Sequence, residues 1–235
     1  MNIVPSMCAG LLLLATVTGV GSCRKARQGG EVKTSPVEEG AKARITLPPP
    51  DRTGRMTLEQ ALARRRSLRE FAAQALSEQE LSQLLWAAQG ITSPDGLRTA
   101  PSAGALYPLE IYVATASGFY HYDPREHRLD LHSEGDFRPA LYHAALEQDY
   151  VREAPAVFVI TAVYERTERK YGRERSPRYV HLEAGHAAQN MLLEAVTLGL
   201  GGVPVGAFHD DQVQKALSLL REHQPLYLIP IGHPR

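Results

Sequence analysis

Arg65, Arg66, Ser67 and Arg69 crowd three guanidinium groups and a hydroxyl into five positions. Guanidinium forks grip phosphate oxygens two at a time and a serine hydroxyl adds a rotatable donor, so the set suits a phosphate-bearing ligand. The plainer alternative is a solvated helix end, where the helix dipole favours basic side chains. A second segment, Arg98-Thr99-Ala100-Pro101-Ser102-Ala103-Gly104-Ala105-Leu106-Tyr107-Pro108, is a run of small residues between two prolines. Small side chains let backbone approach a flat ligand, although such a loop also serves as an ordinary connector. Glu183, His186, Gln189 and Asn190 recur at three- and four-residue spacing and are expected to share one helix face. A metal site is discounted, because His181 and His186 stand about 140° apart around a helix and no HExxH is present. Trp86 is read as core rather than as a stacking platform.

The elements that must position these residues follow from caps and periodicity. Thr57-Leu58-Glu59-Gln60 and Ser77-Glu78-Gln79-Glu80 both have the spacing of a capping box. The first predicts a helix running into Arg64-Arg65-Arg66-Ser67, which would put Arg65 and Arg69 on one face if it persists that far. The second predicts a helix through Leu81, Leu84, Leu85 and Ala88 that stops at Gly90. Strands are expected at Ile111 to Thr115, in a hairpin of Phe119 to Tyr122 and Leu129 to His132 around Asp123-Pro124, and at Ala156 to Tyr164. A mostly apolar helix from His181 to Leu198 should be closed by Gly199 and Gly201. Val203 to Phe208 reads as extended, Asp210 or Asp211 caps a short helix through Leu219, and Leu226 to Ile231 makes a last strand. Helices and strands interleave without regular alternation, which predicts an α+β fold with a mainly antiparallel sheet packed with helices.

Lys plus Arg equals Asp plus Glu at 26 each, so the bulk charge gives no reason to expect a nucleic-acid partner, and any anion site must be local. The two cysteines, Cys8 and Cys23, both fall in the leader, leaving the rest without thiols for a disulfide, a zinc site or cysteine catalysis. Met7 to Val20 is an apolar run shorter than the roughly 20 residues of a spanning helix, and it ends in Val20-Gly21-Ser22-Cys23, the shape of a bacterial lipobox. Residues 1–23 are therefore expected to be a lipoprotein signal peptide with lipidation at Cys23, directing the chain by the general secretory route to a membrane-held position in the cell envelope. Because Met1 to Ser6 lacks Lys and Arg, a retained anchor is the alternative. Residues 24–54, with Pro48-Pro49-Pro50, read as a tether, and 55–235 as one domain.

In order, RRSLR, PSAGALYPLE, KYG, LEAGHAAQN, GLG and a final strand ending IGHP resemble the SagB/ThcOx branch of the nitroreductase superfamily, from Met56 to Arg235. The resemblance implies an FMN-dependent oxidoreductase of nitroreductase-like fold. In it Arg65, Arg66, Ser67 and Arg69 hold the FMN phosphate and ribityl chain, with Arg235 as a further phosphate contact. Pro101, Ser102, Ala103 and Gly104 match the segment that approaches the flavin across a dimer, implying a homodimer with shared sites. Gly206 and Ala207 fall beside the flavin ring. Lys170 and Tyr179 are the implied proton-transfer groups in dehydrogenation of a small-molecule or peptide substrate; such a base needs a buried lysine of lowered pKa or a tyrosinate. On charge pattern alone, Lys170 equally suits a solvated run from Glu165 to Arg178. Reduction of nitro compounds or quinones with NAD(P)H is the alternative chemistry, and a lipid-anchored binding protein that kept the fold without catalysis is the alternative class.

Overall fold

The computed structural model describes residues 43–235. The expected signal peptide with Cys23, and the part of the expected tether up to residue 42, lie outside the described residues.

The fold is α+β: a seven-stranded sheet in which every strand pair is antiparallel, in the order β1-β4-β3-β2-β5-β7-β6. The strands are β1 (Arg44–Thr46), β2 (Leu109–Thr115), β3 (Gly118–Asp123), β4 (Arg128–Glu134), β5 (Ala156–Ala162), β6 (Gly201–Gly202) and β7 (Gln224–Gly232). The helices are α1 (Leu58–Arg64), α2 (Glu78–Gln89), α3 (Arg138–Ala144), α4 (Asp149–Glu153), α5 (Tyr164–Tyr171), α6 (Ser176–Thr197) and α7 (Asp210–Ala216).

Strand alternation divides the interior into two cores. From β5, Ala156, Phe158, Ile160 and Ala162 enter one core with α2 and α6, while Val157 and Val159 enter the other with α3 and α7. Buried on both faces, β5 is apolar at every position but Thr161, whose hydroxyl donates to the Glu110 carbonyl. The apolar run in the sequence has this cause, since a strand covered on both sides has no polar face to show.

Both capping boxes form, with Thr57 accepting from the Gln60 amide and Ser77 from the Glu80 amide. α2 ends at Gly90, where a Cβ would lie 2.1 Å from Trp86 Cδ1, so the indole occupies the space a side chain would need. Trp86 is half-buried, and its ring nitrogen is enclosed.

Besides the unexpected short helices α3 and α4, the structure departs from the sequence expectations in four places. The long helix starts at Ser176, five residues before the apolar stripe at His181. The strand expected to reach Tyr164 ends at Ala162, and Tyr164 opens α5, whose charged sequence buries only Thr167 and carries no apolar stripe to announce it. α1 stops at Arg64, so Arg65–Arg69 is not helical. Finally, residues 44–46 of the expected tether pair with β4. Leu47 is buried beside them and Asp51 exchanges backbone hydrogen bonds with the Gln83 side chain.

Candidate functional site

After α1 the chain runs extended along the short strand β6. Ser67 bridges Gly202, and the Leu68 amide donates to the Gly202 carbonyl at 3.1 Å. In extended backbone alternate side chains share a side, so Arg65, Ser67 and Arg69 point one way and Leu68 points back onto the sheet. A Cβ at Gly201 would lie 2.5 Å from Leu68 Cδ2, which is why the neighbouring strand must be glycine there. The helical spacing that the sequence suggested for Arg65 and Arg69 is therefore absent, since α1 ends before Arg65.

The chain terminus joins them. The Ala72 amide donates to the His233 carbonyl, and the Arg235 amide to the Glu70 carbonyl at 3.4 Å, placing Arg235 next to Arg69. Among the described residues, none of Arg65, Arg66, Arg69 and Arg235 forms a salt bridge. Arg66 turns onto the Ala63 and Arg65 carbonyls, and the Arg69 guanidinium stands 5.6 Å from the Tyr150 ring centre. The Tyr150 hydroxyl hydrogen-bonds Gln148, whose amide donates to the Ala207 carbonyl at 2.9 Å. A relay of Arg69, Tyr150, Gln148 and Ala207 therefore ties the cationic end of this edge to exposed Gly206 and Ala207 further along it. Nothing in the sequence marked Tyr150 or Gln148, which lie at the unpredicted helix α4.

The small-residue loop forms a second assembly at the opposite end of β5 from Arg235. Leu109, which follows it, pairs with Ala162, whereas Ile231 pairs with Ala156. Gly104, Ala105 and Tyr107 all have positive φ, at 63°, 54° and 46°. Lys170, exposed on the last turn of α5, lies over this turn: a Cβ at Gly104 would stand 2.8 Å from Lys170 Nζ and 3.0 Å from the Tyr171 hydroxyl. Tyr179 on α6 packs its ring on Tyr171 at 4.7 Å between centres. Lys170 is thus next to the loop, with its own side chain exposed.

Behind the loop, Ser102 Oγ accepts from the Tyr107 amide at 2.9 Å and the Arg98 amide donates to the Tyr107 hydroxyl. The Arg98 guanidinium sits 4.5 Å from the Tyr107 ring centre and donates to Gln89, whose own amide donates to Glu183 at 3.4 Å. The expected polar stripe is divided: Glu183 is 2% exposed and Asn190 donates to the Thr99 carbonyl, while His186 and Gln189 face solvent. Burial pushes the Glu183 carboxyl up to about 7, against hydrogen bonds from Ser102 and Gln89 and the charge of Arg98, which pull it down.

Arg166 supports the loop from below, donating to the Tyr107 carbonyl at 3.0 Å and pairing with Glu110. Glu110 also meets His121 Nε2 at 2.7 Å. Burial works to raise the Glu110 carboxyl, but its bonds to His121 and the charge of Arg166 prevail and hold it at about 2. These groups line a cavity of about 700 Å³ that Tyr107 and Arg125 also border.

An antiparallel sheet packed by helices on both faces is the architecture of the nitroreductase type. The chain belongs to the nitroreductase family, an oxidoreductase family associated with FMN, whose model matches residues 62–233. It is 45% identical over 181 residues to a protein of Methanocaldococcus jannaschii with a provisional nitroreductase name, across 74% of this chain and 90% of that one. A crystal structure from Ralstonia eutropha JMP134, also provisionally named a nitroreductase, is 35% identical with a TM-score of 0.76, covering 83% of this chain and 91% of that one. A Desulfovibrio desulfuricans structure, provisionally named a nitroreductase and described in complex with FMN, is 26% identical with a TM-score of 0.57, over 76% and 87% of the two chains. The matches reach the superfamily, a coarser grouping than the SagB/ThcOx branch.

Two expectations are corrected. The lipid-anchored, membrane-held envelope protein does not stand: among the described residues no helix is long and apolar enough to cross a membrane, and Cys23 is not among them. Nor does the homodimer with shared flavin sites. The loop expected to reach a second subunit is engaged within its own chain, with Gly104 under Lys170 and Tyr171 and Ser102 tied to Tyr107.

Proposed function

We propose that this chain binds FMN along the edge between Arg65 and Ala207 and reduces nitro or quinone acceptors with NAD(P)H as donor. The observation that carries the reading is a row of arginines without carboxylate partners beside extended backbone. Charge-assisted hydrogen bonds to phosphate would satisfy these cations, which pure structure leaves uncompensated. Extended backbone rises about 3.3 Å per residue, so the four steps from Gly202 to Gly206 span about 13 Å. That length suits a ligand with its phosphate at one end and its flat ring at the other.

In this reading Arg65, Ser67, Arg69 and Arg235 hold the phosphate, Arg66 braces the α1 end, and the Gly206–Ala207 backbone lies beside the ring. The Pro101–Gly104 loop supplies small-residue backbone for a flat face. Bound FMN supplies two-electron redox chemistry. The protein binds and orients it, and in this reading Lys170 and Tyr179 hold or move a proton.

The test is titration of the full chain with FMN by fluorescence quenching, followed by anaerobic NADH and NADPH oxidation with menadione or a nitrofuran. Saturable binding with acceptor-dependent turnover supports the proposal. A chain that rejects FMN sinks it and favours a non-catalytic binding protein. A second reading, dehydrogenation as in the SagB/ThcOx branch, is favoured by the contact between Lys170 of KYG and Gly104 of PSAG. Oxidation of an azoline-bearing peptide by the FMN-loaded chain, lost in Lys170→Ala, distinguishes it.

A further inference from the structure

Resting on the flavin reading above, we propose that Glu183 is the positioning residue of the Ser102–Tyr107 loop, holding Arg98 through Gln89. Three residues with φ between 46° and 63° within four positions make a turn that persists only when its surroundings over-determine it. Glu183 is where those surroundings meet. The path runs from Glu183 to Gln89, to Arg98, to the Tyr107 hydroxyl, and from the Tyr107 amide on to Ser102. It joins α6, α2 and the loop. Gln89 at 1% exposure is buried as deeply as Glu183, so neither partner can be replaced by water without opening the packing. On the far side of the loop the atoms nearest a Cβ at Gly104 belong to two flexible side chains, Lys170 and Tyr171. His186, on the same helix, faces solvent and shares none of these contacts.

The arrangement makes the loop sensitive to protonation. The charged groups around Glu183 are Arg98, with Glu110 and Arg166 behind it, and Lys170 across the loop. Burial pushes the carboxyl up to about 7 in the structure as it stands, and in this proposal an opened loop would admit water to it and return it toward its ordinary value of 4.5. The closed state therefore binds the proton more tightly, so closure is strongest on the acid side and weakens as pH rises through neutrality.

Amide hydrogen exchange resolved to Tyr107 tests this, on the full chain with and without FMN, as protection factors at pH 6 and pH 8. With the two values above, linkage predicts that wild-type Tyr107 protection falls about tenfold between those pH values. Glu183→Gln should abolish the step while keeping the fold, and its FMN affinity at pH 8 should equal or exceed wild type. Ser102→Ala should lower Tyr107 protection at both pH values. A step that survives in Glu183→Gln, or no step in wild type, overturns the proposal, and the wild-type result decides even if the variant does not fold. If FMN never binds while the step appears and Glu183→Gln removes it, the flavin reading fails and the positioning role stands.

Discussion

The arginines at the β6 edge and the arginine at the end of the loop show two ways to use the same side chain. Arg65, Arg69 and Arg235 lie along open backbone with no carboxylate partner among the described residues. Arg166, by contrast, is committed: one arm serves the Tyr107 carbonyl, the other Glu110, and Glu110 is shared with His121. A cation already matched by a carboxylate holds structure together. A row of unmatched cations stays open to solvent, and in the function proposed above it is what takes the phosphate. Net charge and residue counts cannot separate these cases.

Substitutions sharpen the contrast. The largest effect is expected from Arg65→Ala with Arg69→Ala. Losing two charge-assisted contacts should weaken FMN binding by on the order of a hundredfold. The midpoint of urea unfolding for the apo chain should barely move, and a large loss of stability would reassign these arginines to structure. Arg166→Met should do the reverse, costing about 2 kcal/mol in urea unfolding because it strips a partner from a largely buried carboxylate. FMN affinity measured at the arginine edge should stay within a few-fold.

Acid addresses the same pair without mutation. The Glu110 carboxyl is held at about 2 against an ordinary value of 4.5, so the stability it contributes is complete above about pH 4.5. That stability is lost as pH falls toward 2. Glu110→Gln should flatten this part of the pH–stability curve while lowering stability at neutral pH, and an unchanged acid limb would show that the cluster is not closed in solution. The smallest effect is expected from Gly104→Ala, about 1 kcal/mol, because φ of 63° is unfavourable for alanine while the clashing Lys170 can swing aside. Thermal unfolding would detect it.

How far the sequence could be read follows the same division. The capping boxes at Thr57 and Ser77 were legible because their signal is local, and β5 because burial on both faces leaves an unbroken apolar run. The arginine set was legible as a cluster but not in its geometry, since the stop of α1 at Arg64 is made by pairing with Gly202, more than a hundred residues away. Glu183 looked equivalent to His186 and Gln189. Only the packing of α2 against α6 decides which of them is enclosed. Helix α5 was hidden by its own charge, and β1 by its three-residue length in a proline-rich stretch.

That short strand governs where the chain can be cut. Arg44–Thr46 cover the outer edge of β4, and the Ala43 carbonyl accepts from the Leu131 amide. A version begun at residue 55, where the sequence alone would place the start of the domain, uncovers a row of backbone donors and acceptors on β4. An uncovered strand edge is a template for sticking to other chains, so such a shortened protein should precipitate under conditions where one begun before Ala43 remains dispersed.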